Sequence, residues 1–400
     1  MSASLFAAVP LAPRDPILGL SEAFGADGRS NKVNLGVGVY VDENGKIPVL
    51  RAVREAEQAR AANAAPRGYL PIDGIAAYDA AVQKLLFGAD SPLLASSRVV
   101  TAQGLGGTGA LKIAADFLRR ALPNAKVLIS DPSWENHRAL FEQAGFTVDT
   151  YPYYDAASNG LNFAGMAAAL RAAAPGSVVV LHACCHNPTG IDLDAAQWAE
   201  VVAIVRERTL VPILDFAYQG FGDGIEADAT AIKLFADSGL DFFVASSFSK
   251  SFSLYGERIG ALTVVATDKD EAARMLSQIK RVIRANYSNP PTHGGSVVAA
   301  ILTEARLRVL WEEDLAGMRD RIKQMRAALV AGLKARGVSR DFSFVLSQRG
   351  MFSYSGLTAA QMEKLRIDHG VYGLASGRIC VAALNPGNID RVCDAMAAVL

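Results

Sequence analysis

Lys250 stands directly after an apolar run and a set of hydroxyls, in Phe242-Phe243-Val244-Ala245-Ser246-Ser247-Phe248-Ser249-Lys250. A strand that ends this way delivers an amine to the mouth of a sheet. There the ammonium loses solvation, its pKa falls, and the neutral nucleophile that a Schiff base needs becomes accessible near neutral pH. Arg258 follows a few positions on, and with Ser247 and Ser249 it makes a place where a doubly charged phosphate could be held. The plainer reading is a solvated lysine capping a strand, as most lysines are.

Other clusters bear on that choice. Gly104-Leu105-Gly106-Gly107-Thr108-Gly109 satisfies G-x-G-x-x-G between an expected strand at 98–102 and a helix from Thr108. Exposed N–H groups at that helix start, with the Thr108 hydroxyl, make a phosphate cradle. A dinucleotide-binding reading finds its acid in Asp131 at the end of the next strand. The following Pro132-Ser133-Trp134 argues against it, because it puts an aromatic plate where a cofactor ring could stack. His182-Ala183-Cys184-Cys185-His186-Asn187-Pro188-Thr189-Gly190 invites a metal, but its spacing fits no common zinc framework. The alternative is a strand leading into a turn that aims Asn187 at a ligand, with no metal expected.

Asp215 ends another apolar strand, and a carboxylate there is costly to bury without a cation. Paired with a protonated pyridine nitrogen it would make the ring an electron sink, with Tyr218 in reach of a ring oxygen. Arg258, Arg284 and Arg378 are natural forks for carboxylates, although each taken alone reads as a solvated surface residue.

The elements that must position these groups alternate. Strands at 126–130, 146–151, 177–182, 211–216 and 242–247 are interleaved with helices at 134–144, 163–173, 194–208 and 228–236, and 259–265 is a further β-rich run. Val178-Val179-Val180-Leu181 and Val211-Pro212-Ile213-Leu214 are continuously apolar, as expected where helices cover both faces of a sheet. The fold class is therefore α/β, a mostly parallel central sheet sandwiched by helices. Residues 32–40 read as a short apolar strand interrupted by glycines. Residues 311–337 read as one long charged helix with apolar returns at Leu315, Met318, Ile322, Met325, Leu329 and Leu333, and a shorter α+β section follows it. The expected division is a large domain at 46–306 and a smaller one made from 1–45 and 307–400, with an N-terminal arm.

Composition narrows the class of function. The 400 residues are 51% hydrophobic and 20% charged, the profile of a soluble globular enzyme. Lysine plus arginine equals aspartate plus glutamate at 40 each, so no bulk positive field exists for nucleic acid or an anionic membrane. The four cysteines, two of them adjacent at Cys184-Cys185, read as reduced thiols in a cytoplasmic protein. The first residues lack a basic region, and Pro10 and Pro13 interrupt their apolar run, so the expectation is an arm lying on another surface, not a signal peptide or a membrane span.

Taken together, Gly106-Gly107-Thr108-Gly109-Ala110, Pro132-Ser133-Trp134-Glu135-Asn136-His137, 184–190, Asp215-Phe216-Ala217-Tyr218, Ser247-Phe248-Ser249-Lys250 with Arg258, and Ser376-Gly377-Arg378 resemble the class I aspartate and aromatic amino-acid aminotransferases. The resemblance runs nearly the whole chain in order. It is most similar to the bacterial aromatic-amino-acid (tyrosine) branch, through 248–258 and Gln348-Arg349-Gly350-Met351-Phe352-Ser353-Tyr354. The resemblance implies a fold-type-I homodimer dependent on pyridoxal 5′-phosphate. It implies that Lys250 holds the cofactor, Asp215 pairs with its ring nitrogen, Asn187 and Tyr218 meet its ring oxygen, and Trp134 stacks on the ring. Gly107, Thr108, Ser247 and Arg258 would bind the phosphate, with Tyr69 reaching over from the partner. Arg378, helped by the Gly38 backbone and Asn187, would clamp the substrate α-carboxylate, and Arg284 from the partner would meet a distal carboxylate.

The implied reaction moves the amino group of phenylalanine, tyrosine, aspartate or glutamate to a 2-oxo acid such as 2-oxoglutarate in ping-pong fashion. Val37, Val39, Val41 and Ile47 give the substrate flap an apolar character that favours aromatic as well as acidic substrates, or else simply pack a core. Thr108 and Asn289 resemble the aspartate-preferring branch instead. The other readings are an NAD-dependent dehydrogenase, resting on the glycine motif, and a non-catalytic binding protein.

Overall fold

The computed structural model describes residues 4–12, 15 and 17–400. Met1 to Ala3 and Pro13 therefore lie outside the described residues, and with them the start of the expected arm and one of its interrupting prolines. Leu5 and Leu11, within the arm, are almost fully exposed.

Seven strands, Val99–Leu105 (β1), Lys126–Asp131 (β2), Thr147–Pro152 (β3), Val178–His182 (β4), Val211–Phe216 (β5), Phe242–Ser247 (β6) and Ile259–Val265 (β7), form one sheet in the order β1-β7-β6-β5-β4-β2-β3. β7 is antiparallel to both of its neighbours, and the remaining pairings are parallel. β4 and β6 are buried along their whole length. Alternate side chains serve the two faces: Val179 and Leu181 join one hydrophobic cluster, Val178 and Val180 the other. This is the period-two division of a strand covered by helices on both sides.

Helix Gly106–Ala121 (α1) follows β1 directly, starting two residues before the expected Thr108. Helix Glu135–Gln143 (α2) follows β2. Two helices missing from the sequence reading, Lys269–Asn286 (α3) and His293–Thr303, come after β7. The first carries a legible start signal, since the Asp268 carboxylate accepts from the Glu271 N–H.

The long helix spans Ala305–Ala335 (α4) and begins before the expected Trp311. Of its apolar returns Leu315, Met318, Ile322, Leu329 and Leu333 are buried and Met325 is partly so. Trp311 stacks on Phe252 at 4.5 Å and donates its Nε1–H to the Ser251 carbonyl at 2.7 Å, so this helix braces the turn that carries Lys250. Buried Arg326 donates to the carbonyls of Val345, Gly350 and Phe352.

Of the expected strand at 32–40, only Val33–Asn34 is one; it pairs in parallel with Val371–Tyr372. Among the described residues no strand pairs with the chain past Leu35, and backbone groups find individual partners instead. The Gly36 carbonyl accepts from Arg378, the Tyr40 N–H donates to Tyr255 Oη, and the Val41 N–H donates to the Ala382 carbonyl. The closing section contains a helical turn, Phe344–Ser347, and a two-stranded pairing of Phe352–Tyr354 with Arg378–Cys380. No helix among the described residues is long and apolar enough to cross a membrane.

Candidate active site

A cavity of about 460 Å³ opens at the carboxyl ends of β4, β5 and β6, where an α/β sheet presents its strand ends to a ligand. Its lining includes Gly38, Gly107, Thr108, Trp134, Asn187, Asp215, Tyr218, Ser247, Lys250, Arg258 and Arg378, every cavity residue that the family resemblance implies for a single chain. Tyr69 and Arg284 are elsewhere. Tyr69 is 96% exposed, and Arg284 lies on the outer side of α3, bonded to Ser288 Oγ.

Lys250 sits in the turn after β6, its Nζ 4.9 Å from the centre of the Tyr218 ring. Burial lowers its pKa from 10.5 to about 8; the Arg258 charge acts in the same direction and Asp215 opposes it. Asp215 ends β5, buried. Burial alone would raise its pKa, but the hydrogen bond from His137, the neighbouring histidines and the Lys250 charge outweigh that and hold it below the ordinary carboxylate value. His137 Nε2 is 3.0 Å from the carboxylate. Because a carboxylate only accepts, that nitrogen carries the proton, and Nδ1 lies 2.9 Å from Ser133 Oγ.

On the opposite wall Arg258 Nη1 donates to Ser249 Oγ at 3.2 Å and to the Tyr255 carbonyl at 3.1 Å. Gly106 takes a positive φ of 69° to bring the start of α1 against this guanidinium, and a Cβ there would strike it. The first turn of α1 brings Gly107 and Thr108 to the cavity wall beside Ser247, and N–H groups at a helix start lack intrahelical partners. The result is a cationic anion cradle on one side and a buried anion on the other.

Arg378 starts the last strand pair and is 1% exposed. Its fork donates to Asn187 Oδ1 at 3.1 Å and to the Gly36 carbonyl at 2.7 Å, while its Nε is buried without a partner among the described residues. The Phe352 ring lies 4.3 Å from the guanidinium carbon, and its carbonyl is one of the three held by Arg326. A Cβ at Gly38 would come within 2.6 Å of that ring, so the flap and the phenylalanine approach as closely as glycine permits. Glu135 reaches to 4.0 Å of Arg378, a loose pairing that leaves the fork available to a carboxylate.

The sequence reading missed several contributors. His137 was legible as a neighbour of Trp134, since three residues along a helix share a face, but nothing local indicated Asp215 as its partner. His182 sits beside Asp215 in register and has both ring nitrogens buried without partners among the described residues; burial holds its pKa far below the ordinary histidine value. Ile17, Leu18, Tyr255 and Phe352 also line the cavity.

Cys184 and Cys185 come within reach of Asp228, but that carboxylate already accepts from the N–H groups of Gly220, Gly222 and Asp223. Burial pushes the Cys185 thiol up to about 12 and raises Cys184 well above the ordinary thiol value, so both sulfurs pack as neutral groups. The dinucleotide reading fails on topology. Asp131 ends β2, separated from β1 by four intervening strands, and so does not face the glycine turn.

The sequence matches the aminotransferase class I and II family over residues 30–396. It is 64% identical over 397 residues to the aspartate aminotransferase of Pseudomonas aeruginosa, covering 99% of this chain and 100% of that one. It is 53% identical over 389 residues to the aromatic-amino-acid aminotransferase of Escherichia coli, covering 96% and 98%. The crystal structure of an aromatic-amino-acid aminotransferase from Burkholderia pseudomallei, covalently bound to pyridoxal phosphate, superposes with a TM-score of 0.97 at 68% identity over the whole of both chains. A match of this extent, centred on a cavity that joins a buried amine, a buried acid and an anion cradle, leaves one conclusion: this chain is a member of the aminotransferase class I and II family.

Proposed function

We propose that this protein is a pyridoxal 5′-phosphate-dependent aminotransferase acting on aromatic and acidic amino acids with a 2-oxo acid such as 2-oxoglutarate as acceptor. The observation that carries the reading is the placement of Lys250 between the buried carboxylate of Asp215 and the Arg258 cradle, within one cavity. The residues present fit the cofactor. A Cβ at Gly107 would sit 3.0 Å from that of Ser247 and fill the cradle, and the unpartnered Arg378 Nε leaves donor capacity for a carboxylate.

When bound, the cofactor supplies an electron sink for the charge left on the substrate Cα. Lys250 is placed to hold it and, once its amine is free, to take the Cα proton and return it, acting as base and then acid. Asp215, kept ionised and oriented by His137, would hold a proton on a ring nitrogen. Asn187 and Tyr218 would bond a ring oxygen, Trp134 would cover the ring face, and Gly107, Thr108, Ser247 and Arg258 would take the phosphate. Arg378, Asn187 and the Gly38 backbone receive the α-carboxylate.

The reading extends to a cytoplasmic homodimer in which Tyr69 and Arg284 serve the neighbouring cavity. In support, both lie outside this chain's own cavity on exposed surface, and the four cysteines are free and buried. We divide the chain into a large domain at 46–306 and a small one at 1–45 and 307–400; the pairing of Val33–Asn34 with Val371–Tyr372 supports that grouping.

The purified protein should be yellow with a pH-dependent near-visible band, absent in Lys250→Ala, and should transfer amino groups from phenylalanine, tyrosine and aspartate to 2-oxoglutarate. No transfer from any of the three would defeat the proposal. An aspartate-preferring enzyme is the second reading, favoured by Thr108 in the cavity wall; kinetics across the same substrates separate the two.

A further inference from the structure

Tyr255 stands where three parts of the cavity meet. Its side chain lines the cavity beside Lys250 and Arg378. Its carbonyl accepts from Arg258 Nη1 at 3.1 Å, and its phenol oxygen accepts from the backbone N–H of Tyr40 at 2.9 Å. Tyr40 follows Val37, Gly38 and Val39, which form the opposite lining of the same cavity.

Among the described residues that segment has no strand partner beyond Leu35, so its position depends on separate bonds. From the C-terminal side, Arg321 lies 5.1 Å from the Tyr40 ring centre and donates to the carbonyls of Val41 and Leu384. From the cofactor side come Tyr255, at the middle of the segment, and Ser253 Oγ, which donates to the Pro48 carbonyl at 2.8 Å. Tyr255 is thus bonded at once to the arginine of the anion cradle and to the backbone that faces the amino-acid substrate.

We propose that Tyr255 is a positioning residue that sets the substrate-facing segment at residues 37–40 in register with the anion cradle through its phenol and its carbonyl. The proposal rests on the reading of this cavity as an aminotransferase site. Its consequence is specific: the phenol contributes to amino-acid affinity without touching the proton transfer at Lys250.

Tyr255→Phe keeps the ring and removes the acceptor, leaving the buried Tyr40 amide unpaired. One uncharged hydrogen bond corresponds to about threefold to tenfold in affinity. The holoenzyme variant should therefore raise KM for both aspartate and phenylalanine, and weaken binding of a non-reacting dicarboxylic acid, by about that factor. Its kcat should stay within about twofold and its cofactor absorbance should not change. Amide hydrogen exchange in peptides covering 36–48 should accelerate while that of the β-sheet does not. KM and exchange both unchanged would overturn the proposal. So would a loss of kcat with release of cofactor, which would place the phenol on the cofactor itself. Ser253→Ala, which frees the same segment at its far end, should move KM less than Tyr255→Phe; an equal or larger rise would assign the effect to general loosening and overturn the role of Tyr255. A wild-type protein that transfers no amino group defeats the parent reading instead, and the exchange measurement still decides whether Tyr255 holds the segment.

Discussion

The reactivity of Lys250 in the cofactor-free protein offers a direct test of how the cavity tunes its amine. Burial and the Arg258 charge take its pKa from 10.5 to about 8 against the opposing pull of Asp215. Near pH 7 the neutral fraction rises from ~0.03% to ~10%, roughly 300-fold. Two substitutions should move the titration in opposite senses. Asp215→Asn removes the anion that favours the ammonium, so the midpoint falls below 8; Arg258→Gln removes a repelling cation, so it rises. Reductive alkylation by a small aldehyde between about pH 6 and pH 11, read by peptide mass spectrometry with the exposed Lys269 as reference, gives the midpoint without using the cofactor. The midpoint is the quantity to compare, because intrinsic nucleophilicity also falls with pKa. A wild-type midpoint near that of Lys269, or an upward shift in Asp215→Asn, would refute the burial argument.

The same buried amine affects stability. Because its folded pKa lies below the unfolded one, it imposes a penalty that is fully present below about pH 8 and gone above about pH 10.5. Lys250→Met should stabilise the cofactor-free protein near pH 7 by up to about 3 kcal/mol; urea unfolding at both ends of that range checks it, and an equal gain at both would contradict the linkage. His137→Phe removes the bond that holds Asp215 ionised, so burial then raises the carboxyl pKa. The acid limb of the kcat/KM profile should move to higher pH, and an unmoved limb would take His137 out of that role. Arg284→Leu should cost aspartate turnover about 10- to 100-fold and phenylalanine turnover far less, since a charged hydrogen-bonded clamp is worth about 1.5–3 kcal/mol. Equal losses would remove Arg284 from the distal-carboxylate role.

Much of this molecule is written in short-range pattern. Val178-Val179-Val180-Leu181 could only be a strand with both faces covered, and Lys250, Asp215 and Asn187, each closing such a run, were bound to gather at one edge of the sheet. Chemistry at strand ends is legible because strand polarity is shared across a parallel sheet, so its carboxyl ends lie together whatever the strand order. The glycine turn and the hydroxyls around Lys250 were legible for a related reason: free N–H groups at a helix start are a local property.

Strand order, by contrast, is settled by long-range burial, and it decided what the glycine turn serves. Four strands separate β1 from β2, so the turn faces Arg258 and Ser247 across β7 and not Asp131. The contacts His137 to Asp215 and Arg378 to Asn187, spanning 78 and 191 residues, follow from packing that no window of neighbours contains. The segment after Leu35 reads as a strand because its residues suit one. Whether a β-former becomes a strand depends on a partner edge, and here the chain supplies a tyrosine oxygen, an arginine and a single carbonyl instead. Residue types thus announced an amine, an acid and an anion cradle; their distances, their protonation and the bracing of the substrate wall came into being only when remote segments were packed together and water was excluded between them.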